Sequence, residues 1–127
     1  MCETSSLLEG HRVLIVEDET LIAFAVEDEI RSLGVTDTFL AANQTEALDA
    51  LRVFRPSFAI LDVTLTDVGA DYEIADALAD AGIPFIFSSG HLAAELPDRH
   101  VGRPFVGKPM QTQELIDAVT MALKGGA

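Results

Sequence analysis

The sequence predicts an α/β protein with a doubly wound, five-stranded parallel sheet in the strand order 2-1-3-4-5. Short apolar runs alternate five times along the chain with segments of helical period. The connections are too short for antiparallel crossings, so the strands should run parallel with helices on both faces. The chain has 127 residues, 49% of them hydrophobic, which is enough for one buried core and argues against disorder.

The first predicted strand is the apolar run at 12–16, which ends in the acidic residues Glu17, Asp18 and Glu19. A helix should begin at Thr20, because apolar residues then recur at helical spacing. These residues are Ile22, Val26, Ile30 and Leu33, and Gly34 follows them as a C-terminal stop. Asp18 and Glu19 could instead serve only as N-cap and helix-dipole partners, and for Glu19 we favour this role.

The second strand is predicted at 35–41, where β-branched and aromatic residues are interrupted by Asp37. This pattern is typical of a less buried edge strand. Asn43 and Glu46 have the spacing of a capping box, and the helix that they begin should run up to Pro56.

The third predicted strand, 58–62, consists of four apolar residues followed by Asp62. A continuous apolar run suits a strand that is buried on both faces of a parallel sheet. Asp62 then lies at the carboxyl end of the strand, the edge where ligands bind in open α/β sheets. Taken alone, Asp62 could equally be a loop aspartate that caps the next turn.

The last part of the chain adds two helices and two strands. A helix is predicted at 71–81, and a strand at 84–87 is followed by Ser88, Ser89 and Gly90. A second strand at 105–107 is followed by Lys108. The apolar residues of the final helix, which should be buried, are Leu115, Ala118, Val119, Ala122 and Leu123. Residues 91–96 can form at most a turn or two before Pro97, so a helix there should be stunted. We therefore expect residues 91–103 to be the most mobile part of the folded domain.

The composition excludes several classes of partner. Eight basic residues against 21 acidic ones give a formal charge of −13, and no basic patch is visible that would attract nucleic acid or an anionic membrane. Cys2 is the lone cysteine, which fits a reducing compartment. Without a signal peptide or membrane-span pattern, the protein is expected to be cytoplasmic. We expect a flexible tail over residues 1–11, one domain over 12–124 and no output domain.

Polar residues follow four of the predicted strands at their carboxyl ends. They are Glu17 and Asp18 after the first strand, Asp62 after the third, Ser89 after the fourth and Lys108 after the fifth. The first and third strands are neighbours in the predicted order, so the acid pair and Asp62 should face each other. Three carboxylates at that distance need a counter-charge, for which Mg²⁺ is the natural candidate. Lys108 would add a point charge for an anion and Ser89 a hydroxyl donor, although each alone could be a surface lysine or a strand end.

Four motifs carry a resemblance to a known family. They are VLIVEDE at 13–19, AILDV at 59–63, PFIFSSG at 84–90 and FVGKPM at 105–110. In this combination and spacing, the chain resembles the receiver domains of bacterial two-component response regulators from Arg12 to Lys124. The fourth-strand motif is similar to that of the stand-alone PFxFATG receivers, with serines in place of Ala and Thr. The resemblance implies a flavodoxin-like fold and a non-enzymatic, single-domain response regulator whose readout lies in another protein.

The resemblance also implies a role for each site residue. Asp62 would accept a phosphoryl group from a histidine kinase or phosphotransfer protein, and a downstream protein could be the target. Mg²⁺ would be held by Asp18, Asp62 and the Thr64 carbonyl, and by Glu17 through water. Ser89 and Lys108 would bind phosphoryl oxygens, and the rotamer of Phe105 would follow the movement of Ser89 on activation. The peptide bond between Lys108 and Pro109 would be cis. Thr64 and His91 would tune the lifetime of the phosphoryl group.

Some features depart from the family pattern, and other functions remain open. Thr66 and Val68 stand where receivers often carry proline and aspartate, so the loop after Asp62 could have a different shape. A phosphate sink or shuttle for a kinase is one alternative. A non-phosphorylated pseudo-receiver is a second, and a haloacid dehalogenase-like phosphohydrolase is a third, although Thr64 stands where that enzyme needs a second acid.

Overall fold

A computed structural model of the chain describes residues 7–62, 73–89, 105–107 and 112–125. Its strands are β1 (Arg12–Val16), β2 (Asp37–Ala41), β3 (Phe58–Asp62), β4 (Phe85–Ser89) and β5 (Phe105–Gly107). Its helices are α1 (Thr20–Arg31), α2 (Gln44–Val53), α3 (Glu73–Asp80) and α4 (Thr112–Gly125). The strands form one parallel sheet in the order β2-β1-β3-β4-β5, which confirms the predicted fold class and strand order.

The core consists of two layers, one on each face of the sheet. Successive side chains of a strand point to opposite faces. In β1, Val13 and Ile15 pack with α1 and α4 in what we call the α1/α4 layer. Leu14 and Val16 pack with α2 and α3 in the opposite layer, which we call the α2/α3 layer. The sheet is therefore covered on both faces, as the continuous apolar runs predict.

Strands β2 and β4 differ from their predicted bounds. β2 begins at Asp37 rather than at residue 35, although Val35 is buried in the core. β4 continues to Ser89 instead of ending at residue 87, because Ser88 pairs with Asp62 of β3 and Ser89 with Gly107 of β5. Hydrogen-bonded neighbours on both sides thus extend β4 beyond its apolar run.

Both predicted helix signals near β2 have a structural counterpart. Gly34 adopts a positive φ of 100° and its N–H donates to the Arg31 carbonyl, so the chain leaves α1 where a glycine stop is predicted. The Asn43 side chain accepts a hydrogen bond from the Glu46 N–H at 2.8 Å. The Glu46 carboxylate in turn accepts from the Ala42 N–H, also at 2.8 Å. This reciprocal pair confirms the predicted capping box.

The segment before β1 is more ordered than the predicted tail over residues 1–11. Leu8 is fully buried in the α1/α4 layer, and its N–H donates to the Leu33 carbonyl at 2.8 Å. His11 shares a hydrogen bond with the Ser57 hydroxyl at 2.9 Å. The tail prediction is therefore wrong for residues 7–11, because Leu8 fills a site in the core, while residues 1–6 lie outside the described part.

Several predictions concern residues that the structure does not describe. They are the loop that follows Asp62, the stunted helix at 91–96, the mobility of 91–103 and the cis bond before Pro109. None of the described helices combines the length and the apolar character that crossing a membrane would require.

Candidate metal-binding site at the carboxyl edge

Three carboxylates meet at the carboxyl edge of the sheet. One ligand atom from each of Glu17, Asp18 and Asp62 lies within 4.8 Å of the other two. Glu17 and Asp62 are buried, whereas Asp18 is exposed. β1 and β3 are hydrogen-bonded neighbours, and this adjacency brings two acids from the end of β1 to the aspartate at the end of β3.

The backbone around Glu17 fixes its place at this edge. Its N–H donates to the Ala41 carbonyl at the end of β2, at 2.9 Å. Its Oε2 accepts a hydrogen bond from the Glu19 N–H at 3.2 Å. The Glu17 side chain thus reaches forward over the turn that leads into α1. There the Glu19 N–H donates to the carboxylate and stabilises its negative charge.

Glu19 is the N-cap residue of α1, in the position that the sequence predicts for it. Its backbone is extended, with a φ of −96°, and its side chain makes no capping hydrogen bond. Glu19 therefore occupies the predicted N-cap position without capping the helix through its side chain. Its backbone carbonyl instead accepts the first hydrogen bond of α1, from the Ala23 N–H at 2.9 Å.

The cluster fits a hard divalent cation. Carboxylate oxygens are the protein ligands that Mg²⁺ prefers, and it usually takes one or two of them and keeps several waters. The exposure of Asp18 leaves one side of the cluster open to solvent and to a ligand. Two buried carboxylates beside a third repel one another, and a bound cation removes this repulsion.

Other predicted site residues are described in part or not at all. Ser89 and Phe105 have described backbones, at the end of β4 and the start of β5. Thr64, Lys108 and His91 lie outside the described residues, so their places relative to the carboxylates remain predictions.

Ser88 is a buried polar residue beside the cluster that the sequence analysis did not single out. It is buried, and it pairs with Asp62 across the β3–β4 ladder. The strand period contains the signal, since Ser88 is two residues after the buried Ile86 and therefore on the same face of β4. The prediction passed over it because the apolar run ends at Phe87, which placed the strand end too early.

Comparison with known proteins identifies the family. SdrG from Pseudomonas melonis Fr1, in its BeF3-activated conformation, is 34% identical, with a TM-score of 0.74 over 88% of this chain and 94% of that one. A signal receiver domain of a modulated diguanylate cyclase from Desulfovibrio desulfuricans G20 is 28% identical, with a TM-score of 0.77 over 91% of this chain and 94% of that one. The chain belongs to the response regulator receiver family.

The receiver also has longer relatives. Nodulation protein W from Bradyrhizobium diazoefficiens is 31% identical over 114 residues, which make up 87% of the receiver chain and 50% of that protein. The receiver thus spans about half the length of this curated relative. No protein-family model matches the chain. Membership of the family links the receiver to two-component signal transduction.

Proposed function

We propose that this receiver accepts a phosphoryl group on Asp62 from a phosphohistidine of a kinase or phosphotransfer protein. The observation that carries the proposal is the meeting of Asp62, at the end of the buried strand β3, with Glu17 and Asp18 within 4.8 Å. A carboxylate in this position is a nucleophile that a ligand can approach from the open, Asp18 side. The description of SdrG in a BeF3-activated conformation supports the same chemistry in a relative.

In the proposed transfer, one carboxylate oxygen of Asp62 forms a bond to phosphorus as the phosphorus–nitrogen bond of the phosphohistidine breaks. The leaving imidazole keeps the electron pair of that bond and takes up a proton from solvent. Bound Mg²⁺ would supply positive charge for the phosphoryl oxygens. Asp18 and Asp62 would hold it directly with the Thr64 carbonyl, and Glu17 through water.

The roles of the remaining site residues follow from their motifs. Ser89 and Lys108 would donate to the phosphoryl oxygens and so stabilise the charge that builds up during transfer. Phe105 would respond to the movement of Ser89. His91 and Thr64 would control how readily water reaches the aspartyl phosphate.

Two exposed apolar side chains in the first turns of α1 support a protein as phosphodonor. Leu21 and Phe24 are 82% and 52% exposed, and they lie three residues apart on one side of α1. α1 begins at Thr20, directly after the acidic turn. Large apolar side chains that stay exposed on one side of a helix are available for contact with a partner protein. We call these two residues the α1 patch, and propose that the phosphodonor protein contacts it during transfer.

The test is phosphorylation in vitro with Mg²⁺ and acetyl phosphate, a small phosphodonor. The wild type should gain one acid-labile phosphoryl group, and Asp62→Asn should gain none. Asp49→Asn is the matched control, because it neutralises an exposed aspartate on α2, and it should be labelled like the wild type. Labelling of Asp62→Asn would refute the assignment, and an unlabelled wild type would favour the pseudo-receiver.

A further inference from the structure

Strand β2 forms an open side edge of the sheet. Among the described strands it pairs only with β1, in a register that is continuous from Asp37 to Ala41. Proteins usually protect such an edge with charged side chains, prolines, bulges or a very short strand. After Asp37, the four residues of β2 are Thr38, Phe39, Leu40 and Ala41, without a charge or a proline. Since five residues are also an ordinary strand length, Asp37 is the only such protection within β2.

Two peptide groups of β2 face outwards from this edge. In a strand, the N–H and C=O groups of successive residues point alternately to the two sides. The Ala41 carbonyl accepts from the Glu17 N–H at 2.9 Å, so Ala41 and Phe39 face β1. Thr38 and Leu40 therefore face outwards, and their backbone groups have no hydrogen-bond partner in the part of the chain that the structure describes. Backbone groups in this state are a template for a further strand.

Apolar side chains accompany these peptide groups on both faces of the sheet. On the α2/α3 side, the half-buried rings of Phe39 and Phe54 lie with their centroids 5.5 Å apart. Val53, the residue before Phe54, is 69% exposed. On the opposite side, Leu40 is only partly buried against the α1/α4 layer. A strand added at this edge would thus gain apolar contacts as well as hydrogen bonds.

The sequence of β2 is complementary to itself in an antiparallel arrangement centred on Phe39. Thr38 then lies opposite Leu40 of a second copy, and Leu40 opposite Thr38. Each pair exchanges two hydrogen bonds, so the two pairs supply four. The Phe39 residues of the two copies form the close central pair, and aromatic pairs of this kind stabilise a sheet. Asp37 lies opposite Ala41 of the second copy, which leaves no like charges directly opposed within the strand.

We propose that the outer edge of β2 is a self-association surface, through which two copies of this chain pair β2 with β2 in antiparallel orientation. The two five-stranded sheets then form one continuous sheet. A two-fold axis relates the copies, and each β2 edge is used up by the other, so the association stops at a dimer. The inference goes beyond the proposed function and does not depend on phosphorylation.

Sedimentation equilibrium of the unphosphorylated protein tests the association. One pair of short strands makes a small interface, so we expect a reversible dimer with a dissociation constant of about 0.1–1 mM. The formal charge of −13 on each copy opposes this contact. Raising the NaCl concentration from about 0.05 M to about 0.5 M should therefore strengthen it by screening the repulsion. A protein that stays monomeric at about 1 mM, or a dimer that weakens with salt, would overturn the proposal.

Amide hydrogen exchange, followed by NMR in dilute and concentrated samples, identifies the surface. Exchange at the Thr38 and Leu40 N–H groups should slow severalfold in the concentrated sample, because these groups become hydrogen-bonded in the dimer. The Phe39 and Ala41 N–H groups are internal controls, since they face β1 and should be protected in both samples. A dimer that leaves exchange at Thr38 and Leu40 unchanged would lie on another surface and refute the assignment.

A pair of variants at one position separates the backbone contact from the side chain. Leu40→Pro removes an outward N–H and leaves the hydrogen bonds to β1 in place, so it should weaken the dimer at least about 10-fold. Leu40→Val is the matched control, because it keeps the N–H and should still form the dimer. Urea unfolding checks that both variants fold. Undiminished association of a folded Leu40→Pro would contradict the proposal, and the exchange measurement on the wild type decides it if Leu40→Pro does not fold.

Discussion

Arg12 holds the end of α2 against the sheet through Phe54. The Arg12 Nε donates a hydrogen bond to the Phe54 carbonyl at 2.8 Å, and the guanidinium carbon lies 4.3 Å from the centre of the Phe54 ring. Phe54 is the C-cap residue of α2, and its ring packs on Phe39 of β2 with centroids 5.5 Å apart. An ion pair of 3.2 Å joins Arg12 to Asp37 between partly exposed side chains. Arg12 therefore connects β1, β2 and α2 at the amino edge.

Arg12→Lys should lower the free energy of unfolding by about 1 kcal/mol, because lysine cannot both stack on the Phe54 ring and donate from a fixed planar group. Asp37→Asn is the matched control: it removes only the exposed ion pair and should cost less than about 0.5 kcal/mol. Urea unfolding measures both. Equal losses in the two variants would show that the ion pair, and not the contact with Phe54, carries the effect of Arg12.

Glu27 on α1 is expected to make the stability depend on pH. The hydroxyl of Thr38 on β2 donates to its Oε2 and is the main cause of a lowered pKa. Partial burial of Glu27 opposes this effect, while Arg31, whose Nη2 lies 3.2 Å from Oε2, lowers the pKa further. Because the pKa is lower in the folded protein than the ordinary value of 4.5, Glu27 stabilises the fold above that value. The contribution is lost as the pH falls through the lowered pKa.

Thr38→Val should therefore reduce the loss of stability between about pH 5 and pH 3, since the pKa of Glu27 would return towards its value in the unfolded chain. Thr120→Val is the control, because the Thr120 hydroxyl donates to the Ile116 carbonyl within α4 and to no carboxylate. Urea unfolding at a series of pH values measures the slope. If both variants keep the slope of the wild type, the contact between Thr38 and Glu27 does not govern it.

Mg²⁺ binding should be visible as a shift in thermal stability. Without metal, Asp18 repels the buried carboxylates of Glu17 and Asp62, so Asp18→Asn should raise the Tm in EDTA by about 2–4 °C. With Mg²⁺ the wild type should gain stability, because a ligand that binds only the folded state stabilises it, and Asp18→Asn should gain much less. Asp49→Asn should respond to Mg²⁺ like the wild type. An equal Mg²⁺ effect in all three proteins would argue against a site at Asp18.

The α1 patch should matter for a protein phosphodonor and not for a small one. Replacing both Leu21 and Phe24 by serine should slow transfer from a phosphorylated histidine kinase or phosphotransfer protein about 10-fold, through loss of apolar contact area. Phosphorylation by acetyl phosphate should not change. Val53→Ser is the matched control, because Val53 is an exposed apolar residue on α2, on the other face of the sheet. A similar loss with acetyl phosphate would place the effect in the site itself.

Much of the sheet could be predicted because β1 and β3 are buried strands with continuous apolar runs, and β5 is a short run that contains the buried Val106. The bounds of all three agree with the sequence analysis. The strand order then follows from short parallel connections, and it brings Glu17 and Asp18 next to Asp62 without any knowledge of side-chain packing. The sequence therefore determined the fold class and the acidic core of the site, since both depend on local period and on general rules of chain connection.

The tertiary structure alone decided the places of Leu8 and Ser88. Leu8 stands in a short polar segment without periodicity. Its burial depends on its packing in the α1/α4 layer and on a hydrogen bond to the Leu33 carbonyl, which the chain reaches only after α1. Ser88 lies beside Asp62 because the register of β4 sets it opposite that residue, 26 positions earlier in the sequence. Register and cavity shape are non-local, so a single stretch of sequence carries no signal for them until neighbouring strands are paired.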